Sequence, residues 1–188
     1  MRHSTFLFAG LLIASTFSPM AGAAPAPDAA PEPDKDKIIK LLIKEEIRDV
    51  VELYPFLVDR DTPSGTRREW AEQIFTPDAV MVARDPDGKI LLTIHGRDQI
   101  LARFGAEEKN PAISSRHLLT NTTFDEVTPD GAKTRTIAVD LSAVTAVGAT
   151  RDRPRSTPDR ASLFTYRDTW VRTDTGWRKS RSEIQFLN

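Results

Sequence analysis

The chain has 188 residues, 39% hydrophobic and 28% charged, which suits one compact domain with short appendages rather than two domains. Its 26 lysines and arginines nearly balance 27 aspartates and glutamates, so no strong net field is available to hold nucleic acid or an anionic membrane. The lack of cysteine excludes disulfides, thiolate-bound zinc and thiol nucleophiles, and three histidines leave little for a His-rich metal site.

Met1-Arg2-His3 gives a short positive start, residues 6–13 an apolar stretch, and Ala21-Gly22-Ala23 an A-x-A cleavage pattern. This layout predicts a secretory signal peptide over residues 1–23 and an exported protein, periplasmic or secreted. The apolar stretch is shorter than the ~20 residues a bilayer span requires, so no integral span is expected after cleavage. Residues 24–37 are rich in proline and alanine and poor in large apolar side chains. They read as a semi-extended linker, and the folded domain is expected over 38–188.

From Asp36 onward, Ile39, Leu42, Ile43, Ile47, Val50, Val51, Tyr54 and Leu57 recur at steps of three and four. That spacing predicts an amphipathic helix, interrupted near its end by Pro55, which lacks a backbone donor. Thr62-Pro63-Ser64-Gly65 breaks the pattern, and a second short helix runs through Trp70, Ile74 and Phe75. Thr76-Pro77-Asp78 turns into the apolar run 79–83, and Asp85-Pro86-Asp87-Gly88 makes a hairpin returning through 89–94. The aspartates of that hairpin serve the turn, not a metal. Residues 96–104 form a third short helix, and His95 before it is a turn or surface residue.

After Pro111 the pattern becomes long strands. Segments 114–127 and 133–147 flank the turn Thr128-Pro129-Asp130-Gly131, and segments 161–172 and 177–186 flank Thr173-Asp174-Thr175-Gly176. The stretch 151–160 between these hairpins is polar and broken by proline. Helices first and long strands afterwards predict an α+β domain: a strongly curved antiparallel sheet with about three N-terminal helices on one face.

This order of elements, with particular residues, resembles the SnoaL-like branch of the nuclear transport factor 2-like superfamily. The pieces that carry the resemblance are Val58-Asp59 closing the first helix, Trp70-Ala-Glu-Gln-Ile-Phe-Thr-Pro-Asp-Ala79, and Ile94-His-Gly-Arg-Asp-Gln-Ile100. A strand headed by His117 and the segment from Tyr166 to Trp177 complete the set. The resemblance implies a cone-shaped fold enclosing one apolar pocket for a hydrophobic small molecule, and a homodimer through the outer face of the sheet. Within that superfamily the match is to the scytalone dehydratase and polyketide cyclase type. Asp59 and His117 stand where that type has an aspartate at the end of the first helix and a histidine heading the first long strand. Its second histidine falls on Ser142 here, and its tyrosine before the aspartate falls on Val58.

A carboxylate beside an imidazole fixes the ring's tautomer and strengthens it as a base, so Asp59 and His117 could move a proton without metal or organic cofactor. The chemistry such a pair suits is that of a lyase or isomerase. Alternation along the strands, started from His117 and Ser142, puts Asn121 on the pocket face beside His117. It also puts Asp140 there as a second candidate acid, or else as the partner of Arg135 or Arg167 across the sheet. Val58, Trp70, Phe75, Asn121, Ser142 and Tyr166 are candidate substrate contacts, with Phe124 and Phe164 as further wall. Asn121-Thr122-Thr123 fits a glycosylation sequon but falls inside a strand. The alternative reading is the same cone without chemistry, binding a small molecule or a partner protein in the cell envelope.

Overall fold

The computed structural model describes residues 34–59, 64–107, 113–144 and 160–188. The expected signal peptide, nearly all of the linker and the 151–159 segment lie outside these. The elements run α1 (Lys35–Glu52), α2 (Tyr54–Val58), α3 (Ser64–Ile74), β1 (Phe75–Arg84), β2 (Ile90–His95), α4 (Arg97–Glu107), β3 (Ile113–Val127), β4 (Gly131–Val144), β5 (Arg160–Thr173) and β6 (Gly176–Phe186). No helix among the described residues is long and apolar enough to cross a membrane.

α1 begins inside the stretch read as linker, because Asp34 caps it. The Asp34 carboxylate accepts from the amides of Asp36 at 3.0 Å and Lys37 at 3.3 Å, satisfying donors that a helix start leaves unpaired. Ile43, Ile47 and Val51 are the buried stripe of α1. The helix is interrupted beside Pro55, as expected: α1 ends at Glu52 and a separate α2 opens at Tyr54, with Pro55 in its first turn. There its missing N–H has no intrahelical partner to lose. Phe75, expected at the end of the second helix, is the first residue of β1.

The six strands form one curved sheet in the order β2-β1-β6-β5-β4-β3. Four of its pairings are antiparallel, but β1 and β6 run parallel, so the sheet is mixed and not purely antiparallel. β1 reaches the sheet from α3 without a hairpin to β6, so no tight turn fixes its direction relative to that neighbour. The three hairpin turns fall where expected, with Gly88 at φ 85° and Gly176 at φ 109° taking up conformations that a Cβ disfavours.

Two breaks in register decide which side chains face inward. In β3 the pairing with β4 shifts between Leu119 and Thr122, and in the β5–β6 ladder it shifts so that Thr169 faces Arg181 while Trp170 faces Lys179. An extra residue on one strand reverses the parity of everything beyond it. In β6, Trp177 and Lys179 are buried before the break and Ser182 after it.

The buried side chains form two clusters. One lies under α2, α3 and α4 and includes Tyr54, Leu57, Val58, Ile74, Phe75, Phe164 and Tyr166. The other joins Ile43, Ile47 and Val51 of α1 to Ala132, Trp170 and Trp177.

Candidate functional site

The cavity of interest, about 310 Å³, opens within the first cluster, between the helices and the concave side of the sheet. Its apolar wall comes from Tyr54, Val58, Phe104, Phe164, Tyr166, Ile184 and Phe186. Its polar wall comes from Ser115, His117, Asp140, Ser142 and Ser162. The polar side follows from strand register: Ser115 pairs with Ser142, His117 with Asp140, and Asp140 with Ser162, so the group sits on adjacent rungs of three strands.

Asp59 caps the end of α2 in extended backbone, with φ −67° and ψ 136°, which turns its side chain toward β3. There one carboxylate oxygen, Oδ1, accepts from the main-chain N–H of His117 at 2.9 Å and lies 2.8 Å from its ring Nδ1. Both side chains are largely buried, 11% exposed for Asp59 and 15% for His117. Arg116 Nη1 stands 3.9 Å from the second oxygen, Oδ2, on the solvent side. An Nδ1–H donated to the carboxylate leaves Nε2 as the basic nitrogen, while the Phe164 ring meets the imidazole edge-on at 5.8 Å.

The backbone at Asp59 is itself held. Arg67 of α3, 2% exposed, donates Nη2 to the Asp59 carbonyl at 2.9 Å and Nη1 to the Phe104 carbonyl of α4 at 3.1 Å. One guanidinium thus ties the end of α2 to the cavity wall in α4 through two charge-assisted hydrogen bonds. Sequence reading did not single out Arg67, since an arginine on a short polar helix looks like surface.

Asp140 lines the cavity and does not pair with Arg135 or Arg167. Its Oδ2 accepts from Ser142 Oγ at 2.8 Å, and Arg135 is engaged with Asp125 at 2.6 Å on the outer face. The other Asp140 oxygen, Oδ1, is buried with no hydrogen-bond partner among the described residues. Val58, Ser142 and Tyr166 line the cavity as expected.

Three expected contacts do not. Phe75 is fully buried in the core, edge-on to Tyr54, with none of its surface on the cavity. Trp70 packs on the edge of the first cluster and against the exposed Phe56, with ring centroids 5.7 Å apart, and is not among the side chains lining the cavity. Asn121 is exposed, because the break in β3 register after Leu119 turns it out; the inward residues from there on are Thr122 and Phe124. Phe124 belongs with the second cluster and carries Lys44 and Arg48 over its ring.

The sequence reading passed over Tyr54, Phe104, Ser115, Ser162, Ile184 and Phe186. Tyr54 sits one helical turn before Val58 and brings its ring to the cavity wall. Its ring stands 5.0 Å from that of Tyr166, edge-on to it. Burial, with Tyr54 and the nearby carboxylates adding to it, pushes the Tyr166 hydroxyl well above the usual tyrosine value, so it remains a proton donor.

Four helices against a curved, mixed six-stranded sheet, with a cavity lined by both apolar and polar side chains, define an α+β domain of the nuclear transport factor 2-like kind. A sequence profile of the SnoaL-like domain matches residues 40–183, and the chain belongs to that family. No curated protein matches it in sequence. Among solved structures, it is similar to a candidate scytalone dehydratase from Novosphingobium aromaticivorans DSM 12444. The two share 20% identity over 80% of this chain and 87% of that one, with a TM-score of 0.61. An NTF2-like protein with a cystatin-like fold, also from Novosphingobium aromaticivorans, shares 25% identity over 81% and 87% of the two chains, with a TM-score of 0.56. A hexachlorocyclohexane dehydrochlorinase, LinA type 2, shares 15% identity over 81% and 90%, with a TM-score of 0.56.

Proposed function

We propose that this SnoaL-like domain is a cofactor-independent lyase or isomerase whose general base is His117, oriented by Asp59. The observation that supports this most is the double use of Asp59 Oδ1: by holding both the amide and the ring of one residue, it fixes the imidazole against a cavity wall. His117 Nε2 takes a proton from carbon next to a substrate carbonyl, and the electron pair moves onto the carbonyl oxygen as an enolate. In elimination that pair returns to form a carbon–carbon double bond while the β substituent leaves with its electrons, protonated in the case of hydroxide. In isomerisation the proton returns to a different carbon. Asp140, bonded to Ser142 and standing beside His117 on the polar wall, is the second group able to carry a proton. Two of the structural neighbours have names of elimination enzymes, a dehydratase and a dehydrochlorinase.

The same reading has the chain exported and paired with a second copy through the outer face of the sheet, where Leu118, Ile137 and Leu163 are exposed. Sedimentation of wild type and a Leu118→Lys/Leu163→Lys variant distinguishes a dimer from a monomer.

A second reading, a binder without turnover, draws on Ser142 and Val58, which stand where the dehydratase type has a histidine and a tyrosine. The experiment that separates them incubates the protein in D₂O with ketones and β-hydroxyketones and follows α-deuteration and water loss by NMR. The enzyme reading expects exchange that falls by about 10²–10⁴ in His117→Ala, the usual worth of a positioned base. Ligands that bind to wild type without any exchange or elimination support the binder.

A further inference from the structure

The buried serine and threonine hydroxyls divide into those the protein uses and those it does not. Thr134 accepts from Trp170 Nε1 at 2.8 Å, Thr136 shares a hydrogen bond with Thr122 at 2.9 Å, Ser182 donates to Asp168 at 2.6 Å and Thr76 to the Lys179 carbonyl at 3.5 Å. Ser115 and Ser162 are only 4% and 8% exposed, and both line the cavity. Neither hydroxyl has a hydrogen-bond partner among the described residues. Buried hydroxyls are ordinarily bonded, so two orphans on one cavity wall point to a partner that arrives with the ligand.

The chemistry proposed above leaves one atom without a donor. As His117 Nε2 takes the α proton, the pair of that C–H bond forms a carbon–carbon double bond and the carbonyl pair moves onto oxygen. A hydrogen-bond donor facing that oxygen lowers the barrier. On the polar wall the Ser142 hydroxyl is committed to Asp140, which leaves the two orphan serines.

Their places on the sheet separate them. β3 is an edge strand, with β4 beside it and β5 beyond. Asp140 faces His117 across the β3–β4 ladder, and Ser162 faces Asp140 across the next one. Ser162 therefore stands two strands, about 10 Å, from His117. Ser115 is on the His117 strand itself, two residues back on the same face and about 7 Å along it. In the substrate, the carbonyl and the carbon bearing the leaving group are separate neighbours of the carbon that loses its proton. With the leaving group toward Asp140, the carbonyl turns away from that strand, toward Ser115 and not Ser162.

We propose that Ser115 is a further catalytic residue: its hydroxyl donates to the carbonyl oxygen of a bound ketone and to the enolate oxygen formed from it. Its part in turnover rests on His117 as the base, whereas the hydrogen bond to the bound ketone does not. No proton leaves Ser115, whose O–H only stabilises the charge on oxygen. The ligand class narrows to a mostly apolar ketone whose carbonyl lies along β3, with any leaving group directed to β4.

The probe is 1-tetralone labelled with ¹³C at its carbonyl. Wild type, Ser115→Ala, Ser115→Thr and Ser162→Ala are compared by the infrared carbonyl stretch of the bound ketone and by its rate of α-deuteration in D₂O. Circular dichroism establishes that each is folded. Removing an orphan hydroxyl strands no protein group, so Ser115→Ala should fold as wild type does.

Ser115→Ala should move the stretch to higher frequency and slow deuteration about 10²–10³-fold at saturating ketone, the usual loss for one such donor, with KM little changed. Ser115→Thr keeps a hydroxyl and should bring both back toward wild type, while Ser162→Ala should leave the stretch where it is. A stretch unmoved in Ser115→Ala, or moved in Ser162→Ala instead, overturns the assignment. So does a wild type that does not bind the ketone. Deuteration slowed equally in Ser115→Ala and Ser115→Thr makes the residue structural and also rejects it. A wild type that binds the ketone without exchange, yet shows the Ser115-dependent stretch, keeps the hydrogen bond and removes only the base assigned to His117, so the two readings fail separately.

Discussion

Asp59 and His117 are 58 residues apart in sequence, yet one oxygen of the aspartate meets His117 twice, at its amide N–H and at its ring Nδ1. Removing the carboxylate leaves a main-chain donor and a ring nitrogen without their acceptor in a mostly buried place. Asp59→Ala should therefore lose about 1–3 kcal/mol of stability, and Asp59→Asn less, because an amide oxygen can still accept one of the two bonds. Urea midpoints for the three proteins check the order, and an alanine variant as stable as wild type contradicts it.

Arg67 holds the carbonyls of Asp59 and Phe104 from inside the core. Replacing it with methionine keeps the apolar stem but strands both carbonyls, a cost of about 3 kcal/mol. At 2–4 °C per kcal/mol that is roughly 6–12 °C in Tm. Arg67→Lys, with a single donor head, should recover part of the loss. Thermal unfolding of the two variants shows whether the guanidinium fork matters beyond its charge.

The buried Lys179–Asp168 pair sets up a different contrast. Lys179→Met alone leaves an uncompensated carboxylate at 1% side-chain exposure and should cost about 3–5 kcal/mol. Adding Asp168→Asn should return most of that, since the remaining polar group is neutral and still meets Ser182. A double variant no better than the single one is the outcome that rejects this account, and denaturant unfolding decides it.

The hairpins, the apolar stripe of α1 and the helices-then-strands order were legible in the sequence because turn residues and a 3.6-residue period are local signals. So were Asp59, His117, Val58, Ser142 and Tyr166 as neighbours of one cavity. Strand interiors were less legible wherever a register break intervened. Counting by twos from His117 carried Asn121 onto the wrong face. Lys179 shares the inward parity of Trp177 and was hidden by its composition, since it stands in a run of polar residues, Arg178 to Ser182. Tyr54 was read only as a stripe residue of the first helix, since Pro55 marks the interruption but does not say that Tyr54 opens a new helix over the cavity.

Tyr166 gives a pH dependence with a definite sign. Burial holds its folded-state hydroxyl well above the ordinary value of 10.0. Below pH 10 the phenol is neutral in both folded and unfolded chains and stability does not depend on it. Above pH 10 the unfolded chain releases the proton and the folded one keeps it, so stability falls with rising pH until the folded value is reached. Between pH 9 and pH 11, Tyr166→Phe should therefore lose less stability than wild type, with lysine titration common to both. Urea unfolding at the two pH values gives the comparison, and parallel losses rule the effect out.

The most direct measurement for the central claim is the long-range ¹H–¹⁵N correlation spectrum of the His117 ring, near neutral pH, in wild type and Asp59→Asn. If Asp59 orients the ring as a base, wild type shows a single tautomer with the proton on Nδ1 and an unprotonated Nε2, and Asp59→Asn shows a mixture. A wild-type ring with its proton on Nε2, or one averaged between tautomers and indifferent to the substitution, means that Asp59 does not set His117 and that the base assigned here is the wrong one.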